Sequence, residues 1–292
     1  MRHLKGIQKT VLRWYSRNRR DLPWRKTKNP YRILISEIML QQTQVSRVLQ
    51  KYPAFLKEFP DFRSLAQACT SDLIVAWRGM GYNNRAVRLQ QMAKSVMEKH
   101  SGRLPTSVVD LDALPGIGRY TAHALACFAF GQPVPVVDTN VRRVLQRLFP
   151  RALRKKDEWE TARLALPKRS AYNWNQALME FGALVCTASA PKCDHCPVQR
   201  FCPSAFPQRH RVKNHSTAAE PKHDGLPNRI YRGRIIEALR NSGRSMSALR
   251  IGHAVKTAYR KKDEAWLFAL LTKLQKEGLI ELKKNRSVSL PA

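Results

Sequence analysis

The chain has 292 residues, 43% of them hydrophobic, so it can build more than one domain and is too apolar to be a disordered basic tail. Lysine and arginine outnumber aspartate and glutamate by 53 to 21, a formal net charge of +32 that favours a polyanionic partner without specifying a fold. No stretch reaches the ~18 uninterrupted apolar residues of a membrane helix, and the charged N-terminus MRHLKGIQKTVLRWYSRNRR lacks the apolar centre of a signal peptide, so a cytoplasmic location is expected.

Residues 6–206 read as amphipathic helices with short connections, punctuated at Pro23, Pro30, Pro53, Pro60, Gly102, Pro105, Pro115 and Pro133. Few runs alternate with period two, which predicts an all-α region. Leu34, Ile38, Val45 and Val48 fall near one helical face, and Ile74, Trp77 and Leu89 continue the pattern. Glu37 lies inside the apolar run ILISEIML. A carboxylic acid buried there has its pKa raised and suits general acid chemistry, although a core acid paired with an arginine gives the same pattern.

The segment Leu114-Pro115-Gly116-Ile117-Gly118-Arg119-Tyr120-Thr121-Ala122 places two glycines around one apolar residue just before a helix start. The turn's outward N–H groups and the helix dipole together form a site for one backbone phosphate. Asp138, in VPVVDTNV, follows an apolar run at another helix start and by itself reads as an N-cap. Cys186, Cys193, Cys196 and Cys202 have the spacing C-x6-C-x2-C-x5-C. Four thiolates suit zinc or a [4Fe–4S] cluster, and zinc ribbons generally use two CxxC pairs where this chain has one. Cys69 and Cys127 sit in apolar stretches and read as core residues.

Residues 207–228 are polar and aperiodic, as in a flexible linker. Order resumes over residues 229–292, where Ile235, Ile236 and Leu239 predict one helix and Leu249, Ile251 and Val255 a second. Leu267, Leu270, Leu271 and Leu274 form an i, i+3, i+4, i+7 stripe. GLIELKKNRSVSLP then predicts two short strands around a basic turn with Lys283, Lys284 and Arg286. Three helices followed by such a wing is the winged-helix arrangement. Residues 207–292 carry 19 basic against 7 acidic side chains, so this part is expected to act, on its tether, as a further grip on the same polyanionic partner.

LPGIGRYTA, followed by VDTNVRRV and the four cysteines, resembles the helix-hairpin-helix superfamily of endonuclease III and the adenine DNA glycosylases. LPWR, SEIMLQQTQV and NQALMEFGALVC tilt the resemblance towards the adenine glycosylases, and it covers about residues 6–206. It implies a six-helix barrel (residues 21–140) bearing the hairpin, with Leu114, Gly116, Ile117, Gly118 and Arg119 on a DNA phosphate. It also implies a helical iron–sulfur domain (residues 1–20 and 141–206) whose four cysteines hold a [4Fe–4S] cluster.

Glu37 then matches the proton donor to the base, and Asp138 the stabiliser of the sugar cation, with Tyr120 and Asn140 supporting them. Gln41, Gln42 and Tyr82 match positions that enter the DNA helix; Trp24, Arg25, Leu40 and Gln176 match the pocket around the extruded base. Bifunctional members place at the Tyr120 position a lysine that attacks the sugar, so a phenol there implies a monofunctional enzyme. Asn83 stands where a second tyrosine is usual, and Thr139 where adenine glycosylases carry glycine.

The expected activity is hydrolysis of the N-glycosidic bond of an adenine mispaired with guanine or 8-oxoguanine. The expected partner is double-stranded DNA holding a mismatched or damaged base, bound by a monomer near the nucleoid. Removal of thymine, uracil or hypoxanthine is the alternative within the class. A non-catalytic winged-helix DNA-binding protein is the alternative outside it. The tail is too short, and wrongly patterned, for the hydrolase-like C-terminal domain that many adenine glycosylases carry.

Overall fold

The computed structural model describes residues 2–150, 157–205 and 220–292. Helices α1 (Arg2–Asn18), α2 (Pro30–Leu40), α3 (Val45–Glu58), α4 (Phe62–Gln67), α5 (Thr70–Ala76) and α6 (Asn84–His100) come first. Then follow α7 (Val108–Asp112), α8 (Arg119–Phe128), α9 (Thr139–Leu148), α10 (Glu158–Ala165) and α11 (Ala171–Leu184). The C-terminal part holds a hairpin, β1 (Lys222–His223) and β2 (Leu226–Pro227), then α12 (Asn228–Ser242), β3 (Met246–Ser247), α13 (Ala248–Val255), α14 (Glu264–Lys276), β4 (Glu281–Leu282) and β5 (Ser287–Ser289). Among the described residues no helix is long and apolar enough to cross a membrane.

The chain forms two compact units, one of Met1–Glu37 with Leu104–Arg211 and the other of Ile38–Arg103 with Val212–Ala292. The break falls within α2, and the C-terminal residues group with the segment that follows it.

In the first unit α11 packs against α1 and α9. The apolar positions recur at helical spacing: Ile7, Val11 and Tyr15 on α1; Val141, Val144, Leu145 and Leu148 on α9; Trp174, Ala177, Leu178 and Phe181 on α11. Each large side chain buried here contributes roughly 1.5–3 kcal/mol. Gly182 lets α9 and α11 approach: a Cβ there would stand 2.7 Å from Asn140 Cβ and 3.1 Å from its carbonyl oxygen.

In the second unit α12, α13 and α14 and an antiparallel sheet of order β3-β5-β4 share one core. Val288 pairs with both Met246 and Leu282, so the expected wing gains a third strand from the start of α13. The same core takes in Ile74 of α5 and Val87 of α6. The C-terminal module is therefore built onto these helices instead of hanging from a tether.

The expected linker divides in two. Residues 207–219 lie outside the described ones, whereas 222–227 form the β1–β2 hairpin. Its turn residues Asp224 and Gly225 have φ of 46° and 77°, the Asp-Gly signature of a tight hairpin. The hairpin is pinned by His223, whose ring stacks on Trp266 at 3.9 Å. Cys69 is another departure: it is exposed just before α5, while Cys127 is buried as expected.

Candidate active site

Two carboxylates meet in the first unit. Glu37 is 6% exposed, because its helix is apolar on nearly every side, and its Oε2 accepts a hydrogen bond of 2.8 Å from the Tyr120 hydroxyl. Burial raises its pKa to about 7; the Tyr120 hydrogen bond and Arg25 oppose the rise, and the Asp138 charge adds to it. The Tyr120 phenol is held well above its ordinary range by burial and by both carboxylates, so it stays a neutral donor.

Asp138 is the N-cap of α9. Its Oδ1 accepts from the Val141 N–H at 2.6 Å, and its Oδ2 accepts from Asn140 Nδ2 at 3.1 Å. Burial raises its pKa, while these donors and the Arg143 charge pull it down. The two acids thus occupy different surroundings: among the described residues no cation stands at hydrogen-bond distance from Glu37, and Asp138 is cradled by N–H donors.

Arg143 ties this carboxylate to the cysteine segment. Its Nη2 donates to Asn140 Oδ1 at 2.8 Å and to the Gly182 carbonyl at 2.7 Å, and its Nε donates to the Cys186 carbonyl at 2.8 Å. All four cysteines line one pocket, with Leu148, Phe181, Val185 and Val198 as its apolar wall. Arg147 donates to Cys186 Sγ at 3.3 Å and to the Thr187 carbonyl at 2.7 Å.

Beside the carboxylates runs a buried ion network. Glu180 on α11, fully buried, receives Arg20 at 2.5 Å and Arg25 at 2.7 Å. Arg25 also donates from Nε to Gln176 Oε1 at 2.9 Å. Trp24 is buried in the turn Pro23–Arg25, so Trp24, Arg25 and Gln176 form one arrangement. Because Gln176 accepts from Arg25, its Nε2 is the end left to donate.

The hairpin forms as its residues require. Pro115 and Gly116 (φ 77°) occupy the middle of a turn closed by Ile117 N–H to the Leu114 carbonyl at 3.1 Å. That is a type II turn, with glycine where φ must be positive. Leu114 and Ile117 are buried, Gly118 is the N-cap of α8 with no atom within 4 Å of a built Cβ, and Arg119 stacks on Trp159 at 4.2 Å.

Leu40, Gln41, Gln42 and Tyr82 belong mainly to the second unit's two neighbouring loops. α2 ends at Leu40 and α3 begins at Val45, which removes Val45 and Val48 from the helix of Leu34. Gln42 (φ 54°) and Tyr82 (φ 43°) are exposed in the left-handed region, a strain on the order of 1 kcal/mol each for such residues.

Buried Arg85 holds both loops. It donates to the carbonyls of Ile38, Met39 and Gln41 on one side and of Met80 and Gly81 on the other. Burial lowers its pKa to about 10.

Sequence reasoning missed Glu180, Arg143 and Arg85. Glu180 carried the signal that singled out Glu37, an acid within an apolar helix (ALMEFGAL). Arg143 and Arg85 carried none, being two among 53 basic residues.

Comparison with known proteins gives the chain's relatives. Residues 35–167 match the family described as the HhH-GPD superfamily base excision DNA repair protein. The chain is 39% identical over 257 residues to an adenine DNA glycosylase of Mycobacterium tuberculosis, covering 82% of this chain and 79% of that one. It is 36% identical to an adenine DNA glycosylase of Mycolicibacterium smegmatis, covering 93% and 91%. Among solved structures, a thermostable thymine-DNA glycosylase superposes with a TM-score of 0.66 at 32% identity, covering 69% of this chain and 96% of that one.

Proposed function

This chain belongs to the HhH-GPD superfamily of base excision DNA repair proteins, and from that premise we propose that it is a monofunctional glycosylase releasing mispaired adenine from duplex DNA. The observation that carries the reading is the pair of unlike acids: Glu37, with its pKa near 7 and a phenol as partner, and Asp138, cradled at a helix start. Such a pair divides acid and charge-stabilising roles between two carboxylates.

In the reaction, protonated Glu37 gives its proton to a ring nitrogen of the extruded purine. The bond from C1′ of the sugar to the base breaks with its electron pair leaving on the base. The Asp138 carboxylate faces the cationic sugar, water adds to C1′, and the water's proton restores Glu37. The products are free adenine and an abasic site. The Tyr120 phenol cannot form a Schiff base, so strand cleavage through a covalent adduct is not expected.

Extrusion costs a few kcal/mol of stacking and pairing. Gln41, Gln42 and Tyr82 would fill the vacated space, and the strained, exposed backbone of Gln42 and Tyr82 supports that role. Trp24, Arg25 and Gln176 would line the pocket, with the Gln176 Nε2 donating to an acceptor on the purine edge. The 114–119 hairpin would hold a phosphate, and the basic wing of the C-terminal module would add contacts to the flanking duplex. The protein would act as a monomer on chromosomal DNA in the cytoplasm.

A panel of duplexes, each with one mismatch, tests the reading. Adenine should be released opposite guanine or 8-oxoguanine, with an abasic product and no borohydride-trapped complex. The likeness to a thymine-DNA glycosylase makes thymine the competing base. Thymine release from its mismatch with guanine, and none of adenine, would replace the first reading with the second.

Cys186, Cys193, Cys196 and Cys202 would hold a [4Fe–4S] cluster. They share one apolar-walled pocket. The reading rests on that shared pocket and on the single CxxC pair in the C-x6-C-x2-C-x5-C spacing, where zinc ribbons generally use two such pairs. Bound there, the cluster supplies cross-linking of the segment that Arg143 joins to Asn140. Purified protein should be brown, absorb broadly near 400 nm, and contain iron and sulfide. Colourless protein with stoichiometric zinc would exclude the cluster.

A further inference from the structure

The loop of residues 77–83 carries the exposed ring of Tyr82 and is rooted in α5 on one side and α6 on the other. Both roots are held by one side chain from the C-terminal module. Arg240 on α12, its side chain only 4% exposed, donates from Nη2 and Nε to the carbonyl of Ile74, at 2.6 and 3.1 Å. That carbonyl lies in the last turn of α5, where no helical N–H follows to take it. The same Nη2 donates to Asn83 Oδ1 at 2.9 Å.

Asn83 is the N-cap of α6, yet its side chain caps no helical N–H; its oxygen is turned to Arg240 instead. The contact also accounts for an asparagine where the resemblance leads one to expect tyrosine, since a phenol would not offer Arg240 an amide oxygen in that place.

Further contacts press the module onto these helices. Arg78 Nη2 donates to Asn241 Oδ1 at 2.8 Å, and Arg78 pairs with Glu237 at 3.0 Å. The Ser71 N–H, in the first turn of α5, donates to the Pro291 carbonyl at 3.0 Å. Ile74 and Val87 lie within the module's own apolar core, and Gly278 (φ 70°) approaches Val87 so closely that a Cβ would stand 3.2 Å from its Cγ1.

We propose that Arg240 is a positioning residue for base extrusion: by joining the Ile74 carbonyl to the Asn83 side chain it closes the 77–83 loop and keeps Tyr82 in its left-handed pose. The C-terminal module is then part of the extrusion machinery. This rests on the reading of Tyr82 as a residue that enters the DNA helix.

The test places the fluorescent adenine analogue 2-aminopurine at the target position of a mismatched duplex and follows its emission on binding to the full chain. Single-turnover release of adenine is measured in parallel. Asn83→Ala and Arg240→Gln should each reduce the fluorescence rise and slow release about tenfold, with affinity changed less than threefold. The double variant should be no slower than Arg240→Gln, because both remove one contact.

Asn83→Ala leaves Arg240 its two bonds to Ile74, so it decides the matter should Arg240→Gln fail to fold. Full extrusion in Asn83→Ala, with Tyr82→Ala lacking it, would overturn the role of Arg240. Full extrusion in Tyr82→Ala would instead overturn the reading of Tyr82, and the proposal with it. Additive losses in the double variant would show that the two residues act separately.

Discussion

Glu37→Gln is expected to leave duplex binding intact, to slow base release by about 10² to 10⁴-fold, and to make the protein more stable at neutral and alkaline pH. The kinetic loss follows from removing a general acid, whose contribution has that size. An amide keeps the hydrogen bond from Tyr120 and the volume of the side chain, so packing is preserved.

The gain in stability follows from linkage. The Glu37 pKa is about 7 in the folded protein against an ordinary 4.5, so between these values the folded state retains a proton that the unfolded state has released. Wild-type stability therefore declines as pH rises from about 4.5 to 7, by a total of about 3 kcal/mol, and stays at that penalty above pH 7. Glutamine does not titrate. The variant should match wild type below pH 4.5 and melt several degrees higher at pH 8.

Single-turnover release by the wild type should fall as pH rises through about 7, as protonated Glu37 is lost. Melting curves at pH 4.5 and 8, with release measured from pH 5 to 9, check both halves. Rates near wild type in Glu37→Gln would remove this residue from the mechanism. Equal melting at pH 8 would show that burial does not raise its pKa.

Glu180→Ala should be the most damaging substitution outside Glu37 and Asp138. Glu180 is fully buried and holds two guanidinium groups; the Arg25 side chain is itself only 11% exposed. Truncation leaves Arg25 buried without its counter-charge, a change that costs about 3–5 kcal/mol. It also frees the Arg25 side chain that orients Gln176, so base release should fall at least tenfold in whatever protein remains folded.

Glu180→Gln is the milder probe. It keeps one acceptor oxygen for Arg25, and its loss should be roughly half as large. Arg20→Ala should cost less than about 1 kcal/mol, because the Arg20 side chain is 38% exposed and water replaces much of what it loses. Chemical denaturation of the three variants orders the effects. Equal costs for Arg20→Ala and Glu180→Ala would mean that burial of the carboxylate is not what matters.

Much of the site was legible because it is local. The 114–122 hairpin follows from a proline and a glycine at adjacent turn positions, and Asp138 caps the helix that its own segment begins. The leucines at 267, 270, 271 and 274 face one core because 3.6 residues make a turn. The β1–β2 hairpin was as local, and its Asp-Gly pair was in view, but the polar residues around it read as a linker.

The partners of buried charge were of a different kind. Glu180 meets Arg20 and Arg25 across 160 and 155 residues of chain, and Arg240 meets Ile74 and Asn83 across 166 and 157. Nothing within a few positions of these arginines separates them from the other basic side chains that solvent covers.

By itself the amino-acid sequence determined the turns, caps and apolar stripes, together with the residue types at the two acids and four cysteines. These depend on sterics and hydrogen bonds within about one helical turn. Only the tertiary structure decided which charges lie buried, which loops Arg85 and Arg240 close, and that the C-terminal module rests on α5 and α6. A guanidinium leaves water only where distant carbonyls and carboxylates converge to replace its hydration, and that convergence belongs to the folded chain.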